Sequence, residues 1–120
     1  MKEDSYLIHS SQQFFNQAKK NLIDPLASEL SNHVEWWEIN NTQLNKAYKY
    51  PVAVIGKGSP LLMLHGFDSC FLEFRRLVPK LSLHHKIYIP DLFGFGFCPR
   101  PSNADYGKEA ILLHLSNVLA

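Results

Sequence analysis

The spacing of apolar and polar positions changes rhythm along the chain, and each change marks an element. Phe14, Phe15, Ala18, Leu22, Ile23 and Leu26 recur at roughly helical spacing, with Gln12, Asn16, Lys19 and Lys20 between them. This predicts a helix that Pro25 ends or kinks near Asp24, since proline lacks an N–H and its ring clashes with the preceding turn. Leu26, Ala27 and Leu30 continue as another turn or two. From Val34 to Asn40 the composition turns aromatic and β-branched, which predicts a strand. Asn40-Asn41 is a turn candidate, and Tyr50 to Ile55 predicts a second strand with Pro51 at its start. Gly56 to Pro60 reads as a tight turn. It is not a phosphate loop, because a strand rather than a helix follows it.

Leu61-Leu62-Met63-Leu64, opened by Pro60 and closed by His65-Gly66, is the apolar run around which the rest is organised. It predicts a strand buried on both faces, the kind found in parallel sheets, whose ligands sit beyond the carboxyl ends of the strands. Gly66 is expected to let the chain turn there without a Cβ clash. Phe71, Phe74, Leu77, Val78 and Leu81 then line one face of a helix starting near Ser69, which Pro79 ends or kinks, with Glu73, Arg75 and Arg76 facing water or neighbouring loops. Ile87-Tyr88-Ile89 is a short strand closed by Pro90 and Asp91. A helix between two buried strands is the pattern of a parallel crossover. A glycine-punctuated aromatic loop, Asp91 to Pro101, follows. Ser102 is a candidate cap for a last helix, Tyr106 to Leu119, with Asp105 in its first turn and Tyr106, Ala110, Leu113 and Val118 on one face.

Length and charge narrow the functional classes. One hundred and twenty residues suit one small domain, and no internal repeat appears. A formal charge of +1 gives no strong attraction to nucleic acid or an anionic membrane, which needs clustered Lys and Arg. The two cysteines, Cys70 and Cys98, form no disulfide framework and lack metal-ligand spacing. Lys2, Glu3 and Asp4 are followed by no apolar leader region, and no apolar run approaches the ~20 residues of a membrane span. The chain is expected to be soluble and cytoplasmic, with no metal and no cofactor.

Read together, Gly58-Ser59-Pro60 before the central strand, His65-Gly66-Phe67 after it and Asp91-Leu92-Phe93-Gly94-Phe95-Gly96 after the next resemble the first half of an α/β-hydrolase-fold enzyme. The resemblance runs from about Val34 to Ala120. It implies a partial α/β sheet of about four strands in the order 1-2-4-3, with crossover helices, behind an N-terminal helical extension over residues 1–33. It also implies that the backbone amide of Phe67 is one of two donors to an oxyanion, a role that needs no side chain. His65 and Gly66 would shape that loop, as would Asp68 beside them, and His65 would not be the proton-transfer histidine. Asp91, Gly94 and Gly96 would shape the pocket rim. Cys98 carries no assigned chemistry, because a lone thiol without a base is a structural residue by default.

The departures are as informative. The family's nucleophile sits in a Gly-x-Ser-x-Gly elbow after the next strand, with an acid and a histidine later. These residues contain no such elbow, and His9, His33, His84, His85 and His114 are isolated or adjacent on a turn. Nucleophile, acid, base and second oxyanion donor are therefore expected to be missing, and the chain alone inactive. The leading reading is a truncated family member whose intact relatives hydrolyse esters or related bonds of small molecules. The alternatives are a half-domain completed by a separate chain, and a small non-catalytic module using Phe93, Phe95 and Phe97 as an apolar surface. In either of the first two, the Leu61–Leu64 strand becomes a sheet edge, open to self-association or a completing chain.

Overall fold

The computed structural model describes residues 2–120, with side chains from Ser11 onward, so His9 and the chain start read above lie outside the described side chains. Helix α1 (Lys2–Lys20) is followed by α2 (Pro25–Ser31). Pro25 opens α2, where its missing N–H costs nothing. The Asp24 side chain caps that helix by accepting the Leu26 N–H at 2.9 Å. Strands β1 (Val34–Asn41) and β2 (Lys46–Ile55) form a hairpin, β3 (Ser59–Leu62) crosses over, and β4 (His85–Pro90) returns between them. The sheet order is β1-β2-β4-β3, the expected one, with β3 parallel to β4 and the other pairs antiparallel.

Alternation along the strands divides the core in two. Ala53, Ile87 and Ile89 point to the face covered by Phe15 of α1, Leu30 of α2, Phe71 and Val78. Tyr48 and Tyr50 point to the other face, against Phe93 and Ala110 and Val118 of helix α4 (Lys108–Leu119). Phe15 is inserted edge-on between Trp36 and Phe97, at 5.9 and 5.0 Å between ring centroids.

The structure corrects several expectations. The third strand is Ser59–Leu62 rather than Leu61–Leu64, and it is not buried on both faces: Leu62 and Leu64 are 37% and 42% exposed. As the outermost strand it has no neighbour beyond it, so its apolar side chains lose half their cover. Pro51 lies inside β2, opposite Trp36, not at its start. Val54 donates to the His33 carbonyl, so even-numbered β2 amides face β1. The missing donor of Pro51 therefore faces β4 only where that ladder ends, and its carbonyl accepts the Asp91 N–H there.

The helix expected from Ser69 is broken into a 3₁₀ turn, Phe71–Phe74, and a short α3, Val78–Leu81. The Phe71 N–H is drawn to the Asp91 carboxylate, and Pro79 fits the first turn of a new helix rather than ending an old one. Arg75 faces a neighbouring loop, as expected: its Nε donates to Asp24 Oδ2 at 2.7 Å. The last helix starts at Lys108 after an extended Gly107, not at Ser102. Asp105 is held out of it by a reciprocal pair with Gln43: the Asp105 N–H donates to Gln43 Oε1 at 2.8 Å, and Gln43 Nε2 to the Asp105 carbonyl at 3.0 Å. Its buried stripe is Ala110, His114 and Val118, so Leu113 and Tyr106 are not on that face as helix residues.

Candidate functional site

Two loops meet at the carboxyl ends of the parallel strands β3 and β4. The first runs from Met63 to Cys70, the second from Asp91 to Pro101. His65 and Asp91 are their fixed points, and both side chains are fully buried. Asp91 Oδ1 accepts the Phe71 N–H at 2.7 Å and Oδ2 accepts the Phe97 N–H at 2.9 Å. The Cys98 thiol donates to the Asp91 carbonyl at 3.3 Å, and burial pushes that thiol well up from its usual range. One carboxylate thus ties the Phe71 and Phe97 backbones to each other, and the Asp91 carbonyl holds Cys98. Burial raises the Asp91 pKa to about 6 against the lowering effect of these N–H donors, of His65 and of Arg100, so the group is ionised at neutral pH.

Gly96 makes this arrangement possible. Its φ is +57°, and a Cβ there would lie 2.2 Å from Asp91 Oδ2. Gly94, at φ +89°, abuts the Tyr106 ring in the same way. The expectation for Gly66 does not hold: its φ is not positive, and a Cβ would meet only Glu73 Oε1 at an ordinary 3.7 Å. The left-handed residue of that turn is Asp68, at φ +56°, a conformation short polar side chains tolerate. Glu73, expected to face water or a neighbouring loop, takes the second course. Its carboxylate accepts the Gly66 N–H at 3.3 Å, and hydrogen bonds from Ser69 and Gly66 hold it below its usual range. The 3₁₀ turn brings it there, and the broken helix was the signal missed.

Phe67 projects its ring almost wholly into solvent, 89% exposed, edge-on to Phe95 at 5.3 Å. Its backbone amide has no hydrogen-bond partner among the described residues. The aromatic trio of the second loop does not form one surface. Phe93 is buried against Tyr50 and Tyr106, and Phe97 packs on Phe15, leaving Phe95 beside Phe67. Among the described residues no cluster of His, Cys, Asp and Glu has the makings of a metal site. His114 is buried on the opposite side of the sheet, against Tyr50 and Phe93. Burial alone lowers its pKa to about 4. His85 pairs with Ser59 at 3.1 Å at the amino-terminal end of β4, and His33 with Glu29 at 3.3 Å. None of these histidines lies in the two loops.

An open apolar groove of about 390 Å³ runs between β3 and the end of α4, lined by Trp37, Leu61, Leu62, Tyr88, Val118 and Leu119. Among the described residues no helix is long and apolar enough to cross a membrane.

Comparison with known proteins matches residues 59–119 to the family model described as the alpha/beta hydrolase fold. The chain is 35% identical over 68 residues to the 2-hydroxy-6-oxo-2,4-heptadienoate hydrolase of Pseudomonas putida, a match covering 54% of the chain and 25% of that enzyme. It is 44% identical over 62 residues to Lipase 1 of Psychrobacter immobilis, covering 52% and 19%. Among solved structures, a meta-cleavage product hydrolase from Pseudomonas fluorescens superposes with a TM-score of 0.59 at 25% identity, over 73% of the chain and 32% of that protein. The chain spans about a quarter or less of the length of these curated relatives.

Proposed function

The chain belongs to the α/β-hydrolase fold family, and from that premise we propose that it supplies the charge-receiving half of a hydrolase site rather than a whole one. The observation that carries this is the Phe67 amide, unpartnered among the described residues, at the tips of parallel strands, on a turn braced by His65 and Glu73 and turned at Asp68. A tetrahedral intermediate formed on an ester-like bond places negative charge on oxygen. An amide already pointing at that oxygen stabilises it without reorganising, and loss of one such donor in an enzyme costs about 10²–10³ in rate. Gly66, Asp91, Gly94 and Gly96 hold the surrounding loops. The nucleophile, acid, base and second donor would come from polypeptide beyond the elements seen here. The relatives' names point to small-molecule substrates, and we take hydrolysis of an ester-like or related carbonyl bond as the reaction class. Two free thiols, Cys70 and Cys98, support a cytoplasmic location. Residues 1–33 are read as an N-terminal helical extension to the hydrolase portion, residues 34–120.

The open β3 edge and the apolar groove beside it support completion by further polypeptide, joined or separate, in preference to a stand-alone binding module. The burial of Phe93 removes the surface that such a module would have used. Alone, the chain is expected to show no ester hydrolysis above background. At micromolar concentration it is expected to self-associate on a sizing column and bind a hydrophobic dye; a compact, dye-negative monomer would overturn the completion reading. Mixed with a separately expressed polypeptide bearing a Gly-x-Ser-x-Gly elbow, an acid and a histidine, it is expected to hydrolyse a nitrophenyl ester. Phe67→Pro, which deletes the amide hydrogen, should lower that rate about 10²-fold or more. Full activity of the proline variant, or turnover by the chain alone at enzyme-like rates, would overturn the proposal.

A further inference from the structure

Three aromatic rings from three separate segments pack on one another beside the loop junction. Phe15 comes from α1, Phe71 from the 3₁₀ turn and Phe97 from the second loop. Their centroids lie 5.0 Å apart for Phe15–Phe97, 6.2 Å for Phe15–Phe71 and 6.3 Å for Phe71–Phe97. Tilted and edge-on rings attract at such separations. Phe71 and Phe97 are also the two residues whose N–H groups hold Asp91, one on each carboxylate oxygen. The Phe15 ring therefore rests on both residues that grip the buried charge.

Helix α1 has little else to seat it. Among its described side chains, those of residues 11–20, Phe15 is the one that is buried, at 4% exposure, while Phe14 beside it is 65% exposed. The link to α2 runs through residues 21–24, where Ile23 is 95% exposed. This helix pairs with no strand, so it can lift as a unit once its one aromatic knob leaves the socket of Trp36, Phe71 and Phe97. Segments with few buried contacts open at a smaller free-energy cost than the whole fold.

We propose that α1 is a strap whose single knob, Phe15, couples its docking to the Asp91 junction. With Phe15 seated, the Phe71 and Phe97 amides are held firmly on the carboxylate; with α1 lifted, they loosen. Phe15 is thus a positioning residue supplied by the N-terminal extension, acting through two rings on a group it does not bond. Coupling of this kind is reciprocal, so loosening Asp91 must also loosen α1. The coupling holds whether or not the Phe67 amide receives charge.

The test is amide exchange and nitrogen-15 relaxation on the 120-residue chain. In Phe15→Ala, the amides of residues 11–20 should lose order. The Phe71 and Phe97 amides should exchange about tenfold or more faster, while those of Ile87 and Ile89 in the sheet keep their protection. Phe15→Leu, which refills part of the socket, should give the same pattern at smaller size. Leu30→Ala is the control, because Leu30 is 2% exposed in the same core but belongs to α2. It should raise exchange across the core without singling out Phe71 and Phe97. The reciprocal arm alters the far end: Asp91→Asn leaves one carbonyl oxygen for two N–H donors and should lower the order of residues 11–20. A common rise at Phe71, Phe97, Ile87 and Ile89 in Phe15→Ala would make Phe15 an ordinary core residue and overturn the proposal. So would an Asp91→Asn chain in which Phe97 is freed and α1 stays fixed. If either variant fails to fold, Phe15→Leu decides by the same comparison of Phe71 and Phe97 with Ile87 and Ile89.

Discussion

Substituting Gly96 by alanine tests the idea that the Asp91 carboxylate is the mechanical centre of the site. Two costs combine. At φ +57° an L-residue bears about 1–2 kcal/mol that glycine does not. The new Cβ would also sit 2.2 Å from Asp91 Oδ2 and 2.5 Å from its Cγ. The carboxylate cannot swing aside freely, because Oδ1 is held by Phe71 and Oδ2 by Phe97. Making room breaks at least the Phe97 bond, and a hydrogen bond to a charged group contributes about 1.5–3 kcal/mol. The sum is about 2.5–5 kcal/mol, read by urea denaturation as a shift of midpoint at unchanged slope. Gly66→Ala is the control: with ordinary φ and a 3.7 Å contact it should change stability by about 0.5 kcal/mol or less. The double variant Gly96→Ala/Asp91→Ala decides the cause. With the carboxylate gone, the glycine substitution should cost only the conformational 1–2 kcal/mol. An equal cost on both backgrounds would refute the collision argument.

Two perturbed buried groups, His114 and Asp91, should pull stability in opposite directions with pH. His114 is depressed from 6.5 to about 4 in the fold, so its contribution is present above pH 6.5 and is lost as pH falls through about 4. Asp91 is raised from 3.8 to about 6, so its contribution is present below pH 3.8 and is lost as pH rises through about 6. Each spans roughly 3 kcal/mol at about 1.4 kcal/mol per unit. Thermal melts should therefore be nearly flat between pH 4 and 6. His114→Phe should become less stable as pH rises through that range, and Asp91→Asn less stable as it falls; parallel slopes would refute this assignment. Asp24→Ala should lower the melting temperature more than Asp24→Asn, because asparagine keeps the cap on Leu26 while losing the charge opposite Arg75. Phe67→Ala should leave folding stability within about 0.5 kcal/mol, since its ring is in solvent, and a larger loss by chemical denaturation would place that ring in the core.

What could be read from the sequence was whatever local patterns determine. The strands and the two loops follow from apolar runs separated by His-Gly and Asp-x-x-Gly-x-Gly, whereas the strand order was legible only through the resemblance to the α/β-hydrolase fold. The misreadings share one cause, which is that a tertiary partner outbid the local pattern. Phe71, Phe74 and Leu77 have helical spacing, yet the Phe71 amide bonds a carboxylate 20 positions away and the segment tightens to a 3₁₀ turn. Asp105 looks like a first-turn acid, yet Gln43, 62 positions away, holds it in a loop. Gly66 looks like the residue that turns the chain, yet Asp68 takes the left-handed conformation. Burial of the β3 run could not be read locally at all, because it depends on a neighbour beyond the edge.

The same distinction explains how a sheet with an open edge can hold both loops in place. The residues that join the two loops are His65, Gly66, Glu73, Asp91 and Leu92, and each is anchored to another residue of this set or to Phe71 and Phe97. None of these bonds runs to the open β3 edge or into the apolar groove. Loss of cover there weakens the hydrophobic contribution of Leu61, Leu62 and Leu64 without releasing a single hydrogen bond of the loops. Fraying should therefore begin at β3 and α4. The His65–Asp91 network should persist until the Ile87–Ile89 core opens, a hierarchy that amide exchange reads directly. Loop amides that exchange before those of β3 would mean that the loops depend on cover at the β3 edge after all.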